Sequence, residues 1–386
     1  MTKKKLAENF RKRFHSDPEF FFFCPGRVNL IGEHIDYNGG NVMPCAISMG
    51  TYLAVSRNID KMLRFECLNF PETAELHLQT SYSKTGREWF NYPLGAIHQF
   101  LQENHVISGL DMFFYGDLPI GAGLSSSASI EILTMYALNE IFGLNISKVS
   151  MARHGKKAEN EFIGVNSGIM DQFAVAMGKK DHAILLDCDT LDYEYLPFQI
   201  GDHILAIINS NKQRTLADSK YNERFAECGQ ALKILKQELD VTDLCDISVA
   251  RFREHEHLLH DTVLRKRVMH VVSENERVQQ ARSALLSGDL IRFGQLMYES
   301  HQSLKELYEV SGIELDTIVE FSKTYPGCIG ARMTGAGFGG CAIALVRKDR
   351  FDDYSTNLSQ HFREKIGYDA DVFASEVGDG VRELVD

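Results

Sequence analysis

A run of glycine and serine between a predicted strand and a predicted helix constrains this chain more than any other feature. Residues 119–129 read Pro-Ile-Gly-Ala-Gly-Leu-Ser-Ser-Ser-Ala-Ser, after the strand-like segment 110–115 and at the start of the helical pattern 126–142. Glycine lets the backbone turn tightly and approach a ligand closely. Free N–H groups at a helix start bind anions, and serine hydroxyls add donors or ligands for Mg²⁺. The pattern predicts a phosphate-binding loop made of Gly121, Ala122, Gly123, Leu124, Ser125, Ser126 and Ser127.

The alternative for residues 119–129 is a glycine turn followed by a serine that caps the helix. One cap needs one serine, whereas three follow the Gly-x-Gly sequence here. The segment has no Walker lysine, and Ser126 stands where a GxGxxG motif would have its third glycine. We therefore expect a phosphate site that works through backbone amides and hydroxyls.

A second polar segment, residues 26–40, gathers one arginine, two carboxylates, one histidine, two amides and four glycines. Such side chains suit sugar hydroxyls, each of which both donates and accepts hydrogen bonds. A plain polar turn accounts for residues 37–40. It does not account for Arg27 or for residues 33–36, which are threaded between apolar residues. We therefore favour a binding function for this segment.

The segment 159–173 contains two candidate acidic groups. Glu159 lies near the end of a predicted helix, and Asp171 is flanked by apolar residues that indicate a mostly buried position. Phosphoryl transfer to an alcohol needs a carboxylate that orients or deprotonates the hydroxyl, and a cation that spreads the charge of the transferred group. Asp171 and Arg27 fit these two roles. The alternative, that Asp171 caps a helix starting at Gln172, stays open at this stage.

A third glycine-rich segment, residues 333–341, lies between two short apolar runs. A hairpin turn is the simple interpretation, because hairpins commonly contain paired glycines. The other interpretation is a second backbone loop that packs against the phosphate loop and closes the nucleotide site. The pattern alone favours neither.

Composition narrows the class of protein. The chain has 386 residues, enough for two domains, and its net charge of −12 disfavours nucleic acid or an anionic membrane as partner. No stretch approaches the roughly 20 apolar residues of a membrane span, and the apolar run 20–24 is too short for a signal peptide. The eight cysteines are scattered, several in apolar runs, which indicates reduced thiols and a cytoplasmic location. We expect a monomer that binds small molecules.

The order of predicted elements favours an α+β fold. Strand patterns at 19–24, 46–55, 63–68, 182–186 and 203–209 mix with helical patterns without regular βαβ alternation. The second half is richer in helix, at 218–238, 261–286, 290–308, 315–325 and 352–366, with strands at 329–333, 341–346 and 371–374. A domain junction is expected near residues 195–210, which gives an N-terminal domain of residues 1–200 and a C-terminal domain of residues 201–386.

These motifs resemble those of the galactokinases, within the GHMP small-molecule kinase superfamily. The resemblance spans nearly the whole chain and rests on residues 26–40, 121–129, 168–173 and 334–340, in the family's order. The Glu-His-Ile-Asp-Tyr-Asn sequence at 33–38 is similar to the galactokinase signature, which mevalonate and homoserine kinases lack. The resemblance implies a ribosomal protein S5 domain 2-like N-terminal domain, a ferredoxin-like C-terminal domain and an active site between them.

The resemblance also implies residue roles. Asp171 would be the catalytic base, Arg27 would stabilise the transferred phosphoryl group, and Ser127 and Glu159 would hold Mg²⁺. Cys67 would lie near the nucleotide base, at a position where family members often have serine. ATP would be the phosphoryl donor, bound along residues 121–127. The sugar would be bound by Glu33, His34, Ile35, Asp36, Gly168, Asp171 and Tyr221.

The implied reaction is phosphorylation of galactose at its C1 hydroxyl. Two alternatives stay open on the sequence. One is a related sugar 1-kinase, such as an N-acetylgalactosamine kinase, and the other is a sensor that binds galactose and ATP without turnover. The complete Ser127-Ala128-Ser129 sequence, with Asp171 and Arg27, disfavours the sensor.

Overall fold

The computed structural model describes residues 1–119, 121–165, 167–212 and 217–385, with no account of the side chains of 217–219. Ile120 and Asn166, which belong to the glycine–serine segment and to the segment 159–173, lie outside the described residues, as do residues 213–216. The strands are β1 Phe20–Asn29, β2 Asn41–Val42, β3 Pro44–Asn58, β4 Met62–Cys67, β5 Ala74–His77, β6 Gly109–Gly116, β7 His182–Asp187, β8 Tyr193–Pro197, β9 His203–Asn209, β10 Cys328–Thr334, β11 Cys341–Arg347, β12 Asp371–Ser375 and β13 Arg382–Glu383.

Helices follow and separate these strands, which confirms the predicted α+β class. Two of them continue as π-helical turns, α4 into Ala158–Ile163 and α9 into Leu304–Tyr308. The helices are α1 Lys3–Phe14, α2 Asn91–Gln102, α3 Ser126–Phe142, α4 Lys148–Lys157, α5 Met170–Met177, α6 Ala217–Leu235, α7 Val249–His255, α8 Thr262–Ser287, α9 Leu290–Ser303, α10 Gly312–Thr324 and α11 Phe351–Ile366. In the part of the chain that the structure describes, no helix is long and apolar enough to cross a membrane.

The first sheet has the strand order β13-β1-β3-β6-β4-β5 and is antiparallel except where β4 runs parallel to β6. Side chains alternate between its two faces, as strand geometry requires. Leu53 and Val55 of β3 pack into a core with α2 and α3, whereas Ala54 between them packs against α1. The sheet is therefore covered by helices on both faces.

Strand β1 is longer than the sequence predicts. It was expected to end at Cys24 but runs to Asn29, and its register with β3 shifts between Pro25 and Arg27. A shift of register accommodates proline, which cannot donate to the ladder. The same strand consequently carries Arg27 to the end of the sheet that lies beside residues 121–125.

The second sheet has the order β10-β11-β9-β12, all antiparallel, and a smaller sheet joins β2, β7 and β8. One buried core cluster includes Val28 of β1 and Leu30, which follows this strand, together with Ile343 and Leu345 of β11. The two main sheets thus share a continuous apolar core. Strand β13 returns from the C-terminal end to pair with β1, so the last residues of the chain belong to the first sheet.

Candidate active site

Arg27 and Asp171 form a bidentate ion pair at the centre of the site. Nε of Arg27 donates to Oδ1 of Asp171 at 2.7 Å and Nη2 donates to Oδ2 at 2.6 Å. Nη1 donates to the carbonyl of Gly123 at 2.7 Å, which ties the arginine to the predicted phosphate loop. Burial opposes the charge of Arg27, but the attraction and hydrogen bonds of Asp171 outweigh it and raise the arginine pKa. The guanidinium is therefore a fixed positive charge.

Asp171 is not a helix cap. Helix α5 begins at Met170, and among the described residues no side chain makes a capping hydrogen bond at its N-cap residue, Ile169. The carboxylate instead accepts from Arg27 and from Oγ of Ser125 at 2.6 Å. The capping alternative is wrong, because both oxygens of Asp171 accept hydrogen bonds from Arg27 or Ser125.

The serines of the phosphate loop have different partners. Ser125 has a left-handed backbone, φ 62°, and donates to Asp171, while Ser127 donates to Oε1 of Glu159 at 2.8 Å. Ser129 donates to the carbonyl of Cys24 and is fully buried. Because Ser125 and Ser127 donate to two different carboxylates, the run does more than a single helix cap needs.

Glu159 lies in the π-helical turn after α4 and is held on three sides. Its Oε1 accepts from Ser127, and its Oε2 accepts from Ser167 and from Nε2 of Gln172, each at 2.7 Å. Burial is the largest cause that raises the pKa of Glu159, and these hydrogen bonds oppose it. π-Helical turns interrupt helices frequently at functional sites.

Glu33 links the segment 26–40 to strand β10. Its Oε1 accepts from the backbone N–H of Gly335 at 2.7 Å, and its Oε2 pairs with Nη1 of Arg332 at 2.8 Å. Asn29 donates to the same Oε2 at 3.1 Å. Both charged side chains are almost fully buried. Sequence reasoning missed Arg332, although an arginine inside a short apolar strand was an available signal.

His34 lies at the end of a buried chain of hydrogen bonds. Its Nδ1 is 2.9 Å from the hydroxyl of Tyr37, which is 2.8 Å from the hydroxyl of Tyr308, and Sγ of Cys228 follows at 3.2 Å. Its Nε2 is 3.2 Å from the carbonyl of Ala336. Burial, followed by the charge of His270, lowers the pKa of His34 to about 3. The ring is neutral, so Nε2–H donates to Ala336 and Nδ1 accepts from Tyr37.

Asp36 lies against Gly168. A Cβ atom on Gly168 would lie 1.8 Å from Oδ2 of Asp36, so a side chain there would displace this carboxylate. Burial, followed by the negative charges of Asp171 and Glu33, raises the pKa of Asp36 to about 7. Tyr221 closes this side, with its ring centroid 5.3 Å from that of Tyr37.

A cavity of about 310 Å³ lies among these groups. Ile35 does not line it, because its side chain is fully buried against Gly40. The sequence-predicted residues that line it are Arg27, Glu33, His34, Asp36, Glu159, Gly168, Asp171 and Tyr221.

A second cavity of about 250 Å³ is lined by aromatic side chains, among them Trp89, Tyr92 and Phe114, and by Cys67. Ser127 lines this cavity as well, and its hydrogen bond to Glu159 links it to the first one. The two cavities therefore lie next to each other, with this hydrogen bond at the start of α3 between them. The third glycine segment also reaches this point, since a Cβ on Gly335 would lie 3.2 Å from the carbonyl of Gly123, which confirms that the two loops pack together.

Three family models match the chain in the order of its motifs. A galactokinase galactose-binding signature covers residues 8–57, a GHMP kinases N terminal domain covers 91–179, and a GHMP kinases C terminal model covers 281–364. The galactokinase of Lactiplantibacillus plantarum is 48% identical over 388 residues, covering 100% of both chains. The chain belongs to the galactokinase family. The family assignment confirms the resemblance read from residues 26–40, 121–129, 168–173 and 334–340.

Further relatives agree with this assignment. The galactokinase of Enterococcus faecalis is 49% identical over 98% of this chain and 99% of its own. A crystal structure of Lactococcus lactis galactokinase complexed with galactose superposes with a TM-score of 0.96 at 43% identity, covering 99% of each chain. A Methanococcus jannaschii mevalonate kinase, with a TM-score of 0.70 at 20% identity over 93% of this chain and 98% of its own, shares the fold.

Proposed function

We propose that this chain transfers the terminal phosphoryl group of ATP to the C1 hydroxyl of galactose, giving α-D-galactose 1-phosphate and ADP. This is the first phosphorylation step of galactose catabolism. The observation that carries the proposal is the Arg27–Asp171 pair, which lines a sugar-sized cavity and is bonded to the glycine–serine loop. Membership of the galactokinase family supports the choice of substrate.

Asp171 is the proposed general base. Part of its carboxylate faces the cavity, where 29% of the side chain is exposed. Arg27 and Ser125 hold the carboxylate in one orientation, so an incoming hydroxyl meets a prepared acceptor. The buried guanidinium of Arg27 supplies the positive charge that a transferred phosphoryl group needs.

The phosphates of ATP are proposed to lie on residues 121–127, at the start of α3. The aromatic second cavity, with Cys67 on its wall, is the proposed site of the nucleotide base. Ser127 and Glu159 present a hydroxyl and a carboxylate oxygen side by side, the hard oxygen ligands that Mg²⁺ prefers when nucleotide phosphates supply the others. Bound Mg²⁺ would neutralise charge on the phosphates.

Galactose is proposed to occupy the first cavity, with Asp36, Gly168 and Tyr221 around its hydroxyls. Glu33 and His34 contribute to the wall of this cavity, although protein groups already satisfy both their polar ends. Ile35 is proposed to support this wall from behind, through its buried side chain. We also propose that the protein is a monomer, which sedimentation would test. Residues 1–200 and 201–386 are the proposed domains.

The test is an assay of ADP release, with Mg²⁺ and ATP, over galactose, N-acetylgalactosamine, glucose and mannose. We expect galactose to be turned over with the highest kcat/KM. Arg27→Lys keeps the charge but loses the planar fork, and we expect its kcat to fall by roughly 10²-fold. Faster turnover of N-acetylgalactosamine would overturn the substrate, and galactose binding without any ADP release would indicate a sensor.

A further inference from the structure

Glu131 is a buried carboxyl that the proposed mechanism does not use. It lies one turn beyond Ser127 on α3, with no exposed surface. Neither of its oxygens has a hydrogen-bond partner among the described residues. A buried, unpartnered carboxylate is strongly unfavourable, so this group requires an explanation.

Gln172 lies against Glu131 and also has a buried oxygen without a partner among the described residues. Its Nε2 donates to Oε2 of Glu159 at 2.7 Å, but its Oε1 is buried and has no partner among the described residues. The side chain is closely packed, because a Cβ on Gly155 would lie 2.9 Å from Cγ of Gln172. Two adjacent groups thus present acceptor oxygens and lack a donor between them.

We propose that Glu131 is a neutral carboxylic acid whose O–H donates to Oε1 of Gln172, so that both residues position Glu159. One proton satisfies both buried groups. The proposal rests on the proposed function only for the role given to Glu159.

The electrostatics agree with this arrangement. Burial, followed by the charge of Glu159, raises the pKa of Glu131 well above its usual range, and the interaction with Gln172 opposes this only in part. The opposite orientation of the Gln172 amide would place Oε1 against an oxygen of Glu159, two acceptors without a hydrogen. An ionised Glu131 would likewise leave Oε1 of Gln172 unpaired.

The consequence concerns the oxygen of Glu159 that faces the phosphate loop. With Oε2 held by Gln172 and Ser167, Oε1 stays beside Ser127. The neutral Glu131 also adds no second negative charge behind Glu159. Outer groups that orient a metal ligand in this way commonly change metal affinity or activity by 10- to 100-fold when removed.

Two variants and one spectrum test the proposal. Glu131→Gln keeps a donor for Gln172, whereas Glu131→Met fills the same space without one. We expect Glu131→Met to raise the half-saturating Mg²⁺ concentration about tenfold, with the KM for galactose changed less than about twofold. Glu131→Gln should recover most of this loss. Leu138→Ala, a buried apolar change on the same helix, should lower the melting temperature without moving the Mg²⁺ dependence.

Infrared difference spectra of wild type against Glu131→Gln give a readout that needs no turnover and no folded Glu131→Met protein. We expect a protonated carboxylic acid band in wild type at mildly alkaline pH, absent from the variant. No such band, or a Glu131→Met protein with wild-type Mg²⁺ dependence, would overturn the proposal. A wild type that shows the band but does not phosphorylate galactose would instead refute the proposed function.

Discussion

Asp171 and Glu33 are two carboxylates that pair with buried arginines and line the same cavity, yet their surroundings differ. The side chain of Asp171 is 29% exposed beside Arg27, whereas Glu33 and Arg332 are 2% and 0% exposed. Asp171 keeps an open side, where we propose that the reacting hydroxyl binds. Glu33 accepts from three protein donors and has little left to offer. Both carboxylates line the cavity and pair with arginine, so neither property distinguishes them. We therefore expect exposure of the carboxylate to decide which of the two is reactive.

Asp171→Asn tests the catalytic half of the comparison, the proposed role of Asp171 as general base. The amide keeps the size of the carboxyl but cannot accept the proton of the hydroxyl, so we expect kcat to fall by about 10³-fold. Steady-state ADP release measures the loss, and circular dichroism checks the fold. Asp111→Asn is the matched control, because it breaks a second Arg–Asp pair, with Arg64, outside both cavities. Similar losses of kcat in both variants would refute the role of Asp171.

Glu33→Gln tests the other half of the comparison, in which Glu33 stabilises the fold. The amide NH₂ would face the donors of Arg332, Asn29 or Gly335, and the buried guanidinium would lose its counter-charge. We expect the free energy of unfolding to fall by about 3 kcal/mol. Denaturant titration measures this, and kcat per folded molecule should drop less than tenfold. A large loss of kcat at unchanged stability would make Glu33 a working group and erase the distinction.

Local pattern predicted most elements because their periodicity is written into neighbouring residues. The helix 126–142 matches α3, and strand 203–209 matches β9. Helix α5 was considered only in the alternative in which Asp171 caps a helix from Gln172, since its eight residues are too short for a periodic signal. Strand β13, with two residues, was missed.

The residues of the site also fall into those that the sequence predicts and those that it does not. Residues in motifs, such as Asp171 and Ser127, could be predicted from type and spacing. Partners that only the fold brings together could not: Arg332 reaches Glu33, and Tyr308 reaches Tyr37, from far along the chain. The satisfied state of His34 is of this kind, because its two partners come from separate segments.

Gly168→Ala extends the comparison to a third carboxylate, that of Asp36, by displacing it. The new Cβ would lie 1.8 Å from Oδ2 of Asp36 and push that carboxylate aside. We expect kcat/KM for galactose to fall roughly thirtyfold, mainly through KM, with little change in melting temperature. Gly229→Ala is the control, since a Cβ there meets nothing within 4 Å. An unchanged KM in Gly168→Ala would show that Asp36 does not bind the sugar.

The smallest effect we expect is on pH dependence, and it comes from Asp36. Its pKa of about 7 lies above the ordinary value of 3.8, through burial first and then the charges of Asp171 and Glu33. The protonated form therefore stabilises the folded protein at low pH, and this stabilisation is lost as pH rises through about 7. Asp36→Asn should remove that slope from the stability profile.

Galactose affinity should depend on pH in the opposite direction, because we propose that sugar hydroxyls donate to the ionised carboxylate of Asp36. The dissociation constant for galactose should rise about tenfold between pH 8 and pH 6, since a group with pKa 7 passes from mostly ionised to mostly protonated. Calorimetric titration without ATP isolates binding from catalysis by Asp171. The Asp36→Asn protein should bind more weakly but with a flat profile. A wild-type profile that is flat over this interval would mean that Asp36, like Glu33, is bound to protein groups and not to the sugar.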